Sequence, residues 1–275
     1  MNAIYKKHEA HIQTIQKFAF EALCSLVDFL DEKNIPYYLM GGTLLGAIRH
    51  RGFIPWDDDI DIAIPRDAYN RLLKILDQLP RNIRAAHPNV DEKTPYPFLV
   101  ISHASTRLIF DYARPYDKGA CVDVFPLDAF PEKESEQNAL WKKVKLMRSL
   151  IMNKQQGFYK RKTSFMHSIK FKAISFLNFF LPRKIIFKCY DSLVSSPQKD
   201  TKFIANVYGR YQKKEVFPKH IFQDPSTIFF ESRYFKAPTH TEEYLTLIYG
   251  DFMKIPPVEK RYSGHRIQHF EIIHP

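Results

Sequence analysis

The sequence predicts an α+β protein: a mixed sheet flanked by helices, with a basic helical insertion. Three observations predict it. Short period-two segments such as "DDIDIAI", "FLVISHA" and "GACVDVFPL" interleave with helical-period segments over about residues 1–136. From about 137 to 200 the pattern becomes helical throughout, and after about 201 it is mixed again. The helical stretch also carries the charge: residues 137–190 hold thirteen Lys or Arg and no Asp or Glu, which accounts for all of the net +11. We read 1–275 as one unit built of a core, an insertion and a C-terminal segment that packs on the core.

The elements follow in order. Residues 9–33 place Ile12, Ile15, Ala19, Ala22, Leu23, Leu26 and Leu30 at helical spacing. "NIPYYLM" is a turn and a short strand over about 36–40, broken by "GG", after which "TLLGAIRH" reads as a helix starting at Thr43. "RGFIPW" is a loop, and "DDIDIAI" alternates as a strand that Pro65 ends. "RDAYNRLLKILDQL" reads as a helix, and "FLVISHA", "TRLIFDYA" and "GACVDVFPL" as strands. In the insertion, "SFMHSIKFKAISFLNFFL" carries Phe165, Ile169, Ala173, Phe176, Leu177 and Phe180 on one stripe, and Pro182 separates it from a helix in "RKIIFKCYDSLV". "FFESRYFKAP" is strand-like and "TEEYLTLIYG" helical.

Composition narrows the function classes. Hydrophobic residues make up 45% of the chain, enough for a sizeable core and too many for disorder. Cys24, Cys121 and Cys189 are odd in number and far apart, which argues against a disulfide framework or a zinc cluster. No apolar run approaches the roughly 20 residues of a membrane span, and the N-terminus lacks the core of a signal peptide. The expected location is cytoplasmic, with peripheral contact at the inner face of the membrane.

The chemistry concentrates in "PWDDDIDIAI". On a strand, Asp59 and Asp61 share one face while Ile60, Ile62 and Ile64 share the other. Adjacent carboxylates raise each other's pKa unless a cation sits between them. Oxygen-only donors favour Mg²⁺ or Mn²⁺ over Zn²⁺. Asp123, flanked by Val122 and Val124, offers a third carboxylate if its strand lies beside the first. Asp57 shares the parity of Asp59 and supports the metal from behind its ligands; Asp58 has the opposite parity and reads as a loop or cap residue. The strand–Gly41–Gly42–helix turn, with Thr43, has the backbone amides and the small residues to hold phosphate oxygens.

Together these residues resemble the nucleotidyltransferase superfamily. "YYLMGGTLLGAIRHRGFIPWDDDIDIAIPRDAY", "VDVFPLDAFP" and "LIYGDFMKIPPVEKR" followed by His265 resemble, within it, the LicD family. The resemblance spans about residues 35–265, while the basic middle matches only in general character. It implies a nucleotidyltransferase-like fold and a Mg²⁺-dependent phosphotransferase. Such an enzyme moves a phospho-alcohol, phosphocholine from CDP-choline first of all, onto a hydroxyl of lipopolysaccharide, capsule or teichoic acid or a lipid-linked precursor, with release of CMP. It implies Asp59 and Asp61 as metal ligands, Asp123 as the third acidic position, and Gly41, Gly42 and Thr43 as the phosphate turn. Ribitol or glycerol phosphate from a CDP-alditol is the alternative, as is a true NTP-dependent nucleotidyltransferase.

Other positions stay open at this level. Arg49 either neutralises a phosphate or caps helix carbonyls. Trp56 either stacks on a base or alcohol or packs beside Pro55. Asp251 and His265 either reach substrate or form a C-terminal clasp. The cations within 142–188 read as a solvated face, a surface for anionic membrane, or a nucleic-acid surface; the membrane reading is preferred and nucleic acid disfavoured. The non-enzyme alternative is a membrane-peripheral or nucleic-acid-binding basic protein, for which three converging carboxylates have no use.

Overall fold

In the computed structural model, residues 11–91, 93–110, 115–156, 178, 180–195, 201–262, 265 and 267–273 are described. The expected stripe helix over 164–181, with the basic Lys160, Arg161 and Lys162 before it, lies largely outside them.

The first helix, α1 (Ile12–Glu32), buries every apolar residue of its predicted stripe. It packs across the strands β2 (Ile60–Pro65), β3 (Ile83–Ala86), β4 (Leu99–His103) and β6 (Cys121–Phe130). With β1 (Tyr38–Leu39) these form a sheet of order β1-β2-β6-β4-β3. The pair β2/β6 is parallel and the others are antiparallel, so the sheet is mixed. β6 is its axis. One edge pairs with β2 from Val122 to Leu127 and the other with β4 from Cys121 to Val124, while the end of β6, Asp128–Phe130, pairs with β7 (Phe203–Ala205). β8 (Val216–Pro218) extends that branch, so the segment beyond 201 joins the same sheet.

Helix α2 (Gly41–His50) starts two residues earlier than its pattern suggests. Met40 is extended and Gly41 takes φ +56°, a left-handed turn that lets the chain pass from β1 into the helix without a loop. Helix α3 (Arg66–Leu72) is shorter than the expected 66–79 and is followed by a 3₁₀ turn at Leu76–Gln78. Pro80 holds Leu79 extended at ψ 147°, which closes off helical continuation.

The insertion contributes α4 (Glu134–Gln156) and α5 (Arg183–Val194), which pack on each other. An ionic knot fastens α5 to the sheet: Arg66, at the start of α3, lies 2.5 Å from buried Asp128 of β6 and 2.9 Å from exposed Asp191 of α5. Beyond β8, the hairpin β9 (Ser226–Phe230) and β10 (Arg233–Ala237) realises the strand-like "FFESRYFKAP". Helix α6 (Thr241–Tyr249) follows, and β11 (Ile267–Ile272) pairs with β5 (Thr106–Phe110). The observed architecture is therefore α+β, with helices on a mixed sheet.

Candidate active site

Register does the work that strand parity anticipates. Asp61 of β2 stands opposite Asp123 of β6, and partners on adjacent strands put their side chains on the same face. Asp59 lies one residue before β2, and carboxylate oxygens of Asp59, Asp61 and Asp123 all lie within 4.8 Å of one another. Ile60, Ile62, Val122 and Val124 are fully buried on the opposite side.

The start of α2 is fitted around these acids. Gly42 N–H points at Asp61 Oδ2 at 3.4 Å, and Gly41 N–H donates to the Tyr244 hydroxyl at 2.9 Å. A Cβ at Gly41 would overlap Asp61 Oδ2, and one at Gly42 would overlap Asp57 Oδ2. The positive end of the helix thus faces a negative cluster. Thr43 is buried beneath the cleft: its Oγ1 accepts from the Asp61 N–H at 2.8 Å and locks α2 to β2.

Two positively charged groups, Lys118 and His265, answer the carboxylates. Lys118 is 4% exposed, with Nζ 3.0 Å from Asp123 and 3.6 Å from Asp59. It also lies over the ring of Tyr96 at 5.1 Å. Burial opposes its charge, but Asp123 and Asp59 overcome that and hold it protonated. His265 Nδ1 sits 2.9 Å from Asp58, which is 1% exposed. Burial opposes the imidazolium, yet Asp58 brings its pKa up to about 9. Asp58 is thus a buried acid, and its half-buried partner His265 ties the C-terminal segment to the acidic cluster. Arg49 donates to the carbonyl of Phe252 at 3.0 Å, so it braces the turn after α6 instead of capping its own helix.

The carboxylates remain undercompensated. Burial, then Asp59, then Asp123 push the Asp61 carboxyl well above its ordinary range. Burial, then Asp59 and Asp58, do the same for Asp57. Asp123 is raised by burial to about 6 in spite of Lys118. A site of oxygen donors crowded enough to resist ionisation fits a hard divalent cation at Asp59, Asp61 and Asp123.

A cleft of about 460 Å³ opens on Asp57, Asp59 and Asp61 beside Gly41 and Gly42. Trp56, Tyr211 and Tyr249 give it aromatic walls, and Arg49, Arg210 and Lys254 give it positive charge. Half-buried Trp56 faces the cleft and stacks against Arg261 at 5.7 Å; exposed Asp251 lies on the rim. The far wall is the 206–211 loop. Buried Glu215 accepts from Tyr211 N–H and from Asn206, each at 2.7 Å, while Arg148 of α4 donates to Gly209 O at 2.7 Å. Burial raises Glu215 to about 7.

Residues 34–182 match the family described as "LicD/FKTN/FKRP, nucleotidyltransferase domain". Over 263 residues the chain is 30% identical to the lipopolysaccharide cholinephosphotransferase LicD of Haemophilus influenzae, covering 92% of this chain and 93% of that one. The chain belongs to the LicD family. Two further matches are partial. An uncharacterized protein of Rickettsia typhi is 34% identical over 110 residues, covering 39% of this chain and 33% of its own. The human ribitol 5-phosphate transferase FKRP is 49% identical over 39 residues, covering 14% of this chain and 8% of FKRP. The relatives whose activity is named are phosphotransferases, which places the LicD-family chain described here among transferases.

Proposed function

We propose that this protein transfers a phospho-alcohol from a CDP-alcohol to a hydroxyl of a cell-surface glycan, releasing CMP. The observation that carries this reading is the convergence of Asp59, Asp61 and Asp123 beside the amide-lined start of α2. Phosphocholine is the preferred group, because the relative matched over nearly its whole length is a cholinephosphotransferase. Ribitol phosphate is the second reading, supported by the shorter match to FKRP.

Asp59, Asp61 and Asp123 would hold Mg²⁺ or Mn²⁺, which when bound neutralises pyrophosphate charge and polarises the phosphorus. The chain's own residues do the rest. The α2 amides and Gly41–Gly42 leave room for the donor's phosphates, and Arg210, Arg49 and Lys254 attract them along the cleft. Trp56, Tyr211 and Tyr249 offer stacking faces for cytosine. The acceptor oxygen attacks the phosphorus that bears the alcohol, the bond to CMP breaks, and CMP takes the electron pair. Asp123, whose carboxylate lies beside those of Asp59 and Asp61, is the group we assign to accept the hydroxyl proton.

Peripheral membrane contact at the cytoplasmic face completes the proposal. Among the described residues no helix is long and apolar enough to cross a membrane. Exposed Lys142, Lys143 and Lys145 beside Leu146 on α4 suit an anionic surface. The protein is expected to co-sediment with anionic liposomes at low salt; no co-sedimentation would leave α4 a solvated face.

A thermal-shift panel tests the donor and the cation together. Folding raises the Asp123 pKa from its ordinary 3.8 to about 6. Its contribution to stability is therefore full below about pH 4 and is lost as pH rises through about 6. Divalent cations compete with the same protons. Mg²⁺ should raise the Tm clearly at about pH 7.5 and hardly at about pH 5. With Mg²⁺ present, CDP-choline should stabilise more than CDP-ribitol or CDP-glycerol. A Mg²⁺ response larger at the acid end would contradict the carboxylate site.

A further inference from the structure

A second cavity, of about 230 Å³, lies across the carboxylates from the first. Asp59 and Asp61 line the first cleft, whereas Asp123 and Lys118 line the second, so the acidic set divides two compartments. Half-buried Tyr96 and Phe98 and buried Tyr208 form flat walls, and Met152 of α4, 44% exposed, stands at the rim. Phe98 is held by Phe125, with ring centroids 4.5 Å apart.

We propose that this second cavity is the acceptor subsite and takes one sugar ring of the glycan. The assignment rests on the first cleft being the donor site. In-line displacement places the entering and leaving oxygens on opposite sides of the phosphorus. With CMP departing into the cleft of Trp56, Tyr211 and Tyr249, the entering hydroxyl comes from the Asp123 side. The apolar C–H face of a sugar suits Phe98 and Tyr208, while its hydroxyls find hydrogen-bonding partners in Asp123 and Lys118.

The same walls disfavour the donor's trimethylammonium. Lys118 already occupies cation–π positions over Tyr96, at 5.1 Å, and over Phe110, at 6.0 Å. Arg148 and His265 line the cavity too, adding further positive charge. A neutral polyhydroxylated ring meets no such repulsion.

The test uses methyl β-D-galactopyranoside and methyl β-D-glucopyranoside as probes, followed by saturation-transfer NMR with Mg²⁺ and CMP present. Wild type should saturate the ring C–H protons of at least one glycoside. Phe98→Ala removes a wall, and Met152→Trp fills the mouth from an exposed position. Each should weaken glycoside binding by about tenfold while the Kd for CMP is unchanged. No glycoside binding by wild type, or equal binding by Met152→Trp, overturns the proposal. So does a Met152→Trp protein whose preference between CDP-choline and CDP-ribitol shifts while its glycoside Kd does not, since the cavity would then hold the alcohol. The donor reading fails by a different readout: no CMP released from any CDP-alcohol by wild type refutes it, whatever the glycosides do.

Discussion

Asp61→Asn is expected to lower transfer by at least about 10³-fold and, at the same time, to raise the melting temperature of the metal-free protein. The two effects have one cause. Asp61 is pressed against Asp59 and Asp123 within 4.8 Å, and burial together with those neighbours resists its ionisation. Asparagine keeps the shape and can still accept from the Gly42 amide, but it removes a charge that folding disfavours. Each kcal/mol of repulsion relieved should add about 2–4 °C to the Tm of a chain this size. The activity loss follows because the amide is a neutral, weaker ligand for a hard cation. Asp59→Asn should lose activity to the same degree. Near-normal turnover in either variant contradicts the metal assignment, and a fall in metal-free Tm for Asp61→Asn contradicts the electrostatic account.

Lys118→Met is expected to do the reverse in the metal-free protein. It withdraws the buried lysine that neutralises Asp123 and Asp59 while preserving most of the side chain's volume and its packing on Tyr96. Breaking a buried pair from one side costs about 3–5 kcal/mol, because the remaining charge is uncompensated. Mg²⁺ should recover most of that loss, since a divalent cation at the carboxylates supplies the missing charge. The Mg²⁺ midpoint, read by thermal shift or calorimetry, should move to lower concentration than in wild type. A variant as stable as wild type without metal, or one that Mg²⁺ fails to rescue, would show that Lys118 and the cation do not serve the same carboxylates.

What could be read from the chain follows the reach of local periodicity. Period-two alternation sorts Asp59 and Asp61 from Ile60 and Ile62, and the same logic finds Asp123 between Val122 and Val124. The pairing of β2 with β6 then brings them together. Lys118 was not legible in this way. Counted back along β6 it has the wrong parity, but Gly119 at φ +68° turns the chain just before the strand and sends Lys118 to the Asp123 side. The signal available was that glycine. Asp58 reads only as a loop or cap residue because its partner, His265, is 207 residues away, and no spacing rule reaches that far. Glu215 and the 206–211 loop were missed for a related reason. They form a wall of the cleft through hydrogen bonds to backbone amides, a pattern without periodicity. The expected helix start at Thr43 was two residues late because a positive-φ glycine can open a helix as well as end a strand.

The measurement that bears most directly on the central claim is the identity of the released product. The purified protein would be incubated with Mg²⁺, CDP-choline labelled in the choline, and a glycan acceptor from a surface polysaccharide. The account predicts equimolar CMP and choline label on the glycan, both abolished by Asp61→Asn. In a parallel incubation with CTP in place of CDP-choline, release of pyrophosphate with the cytidylyl group appearing on the acceptor would contradict it.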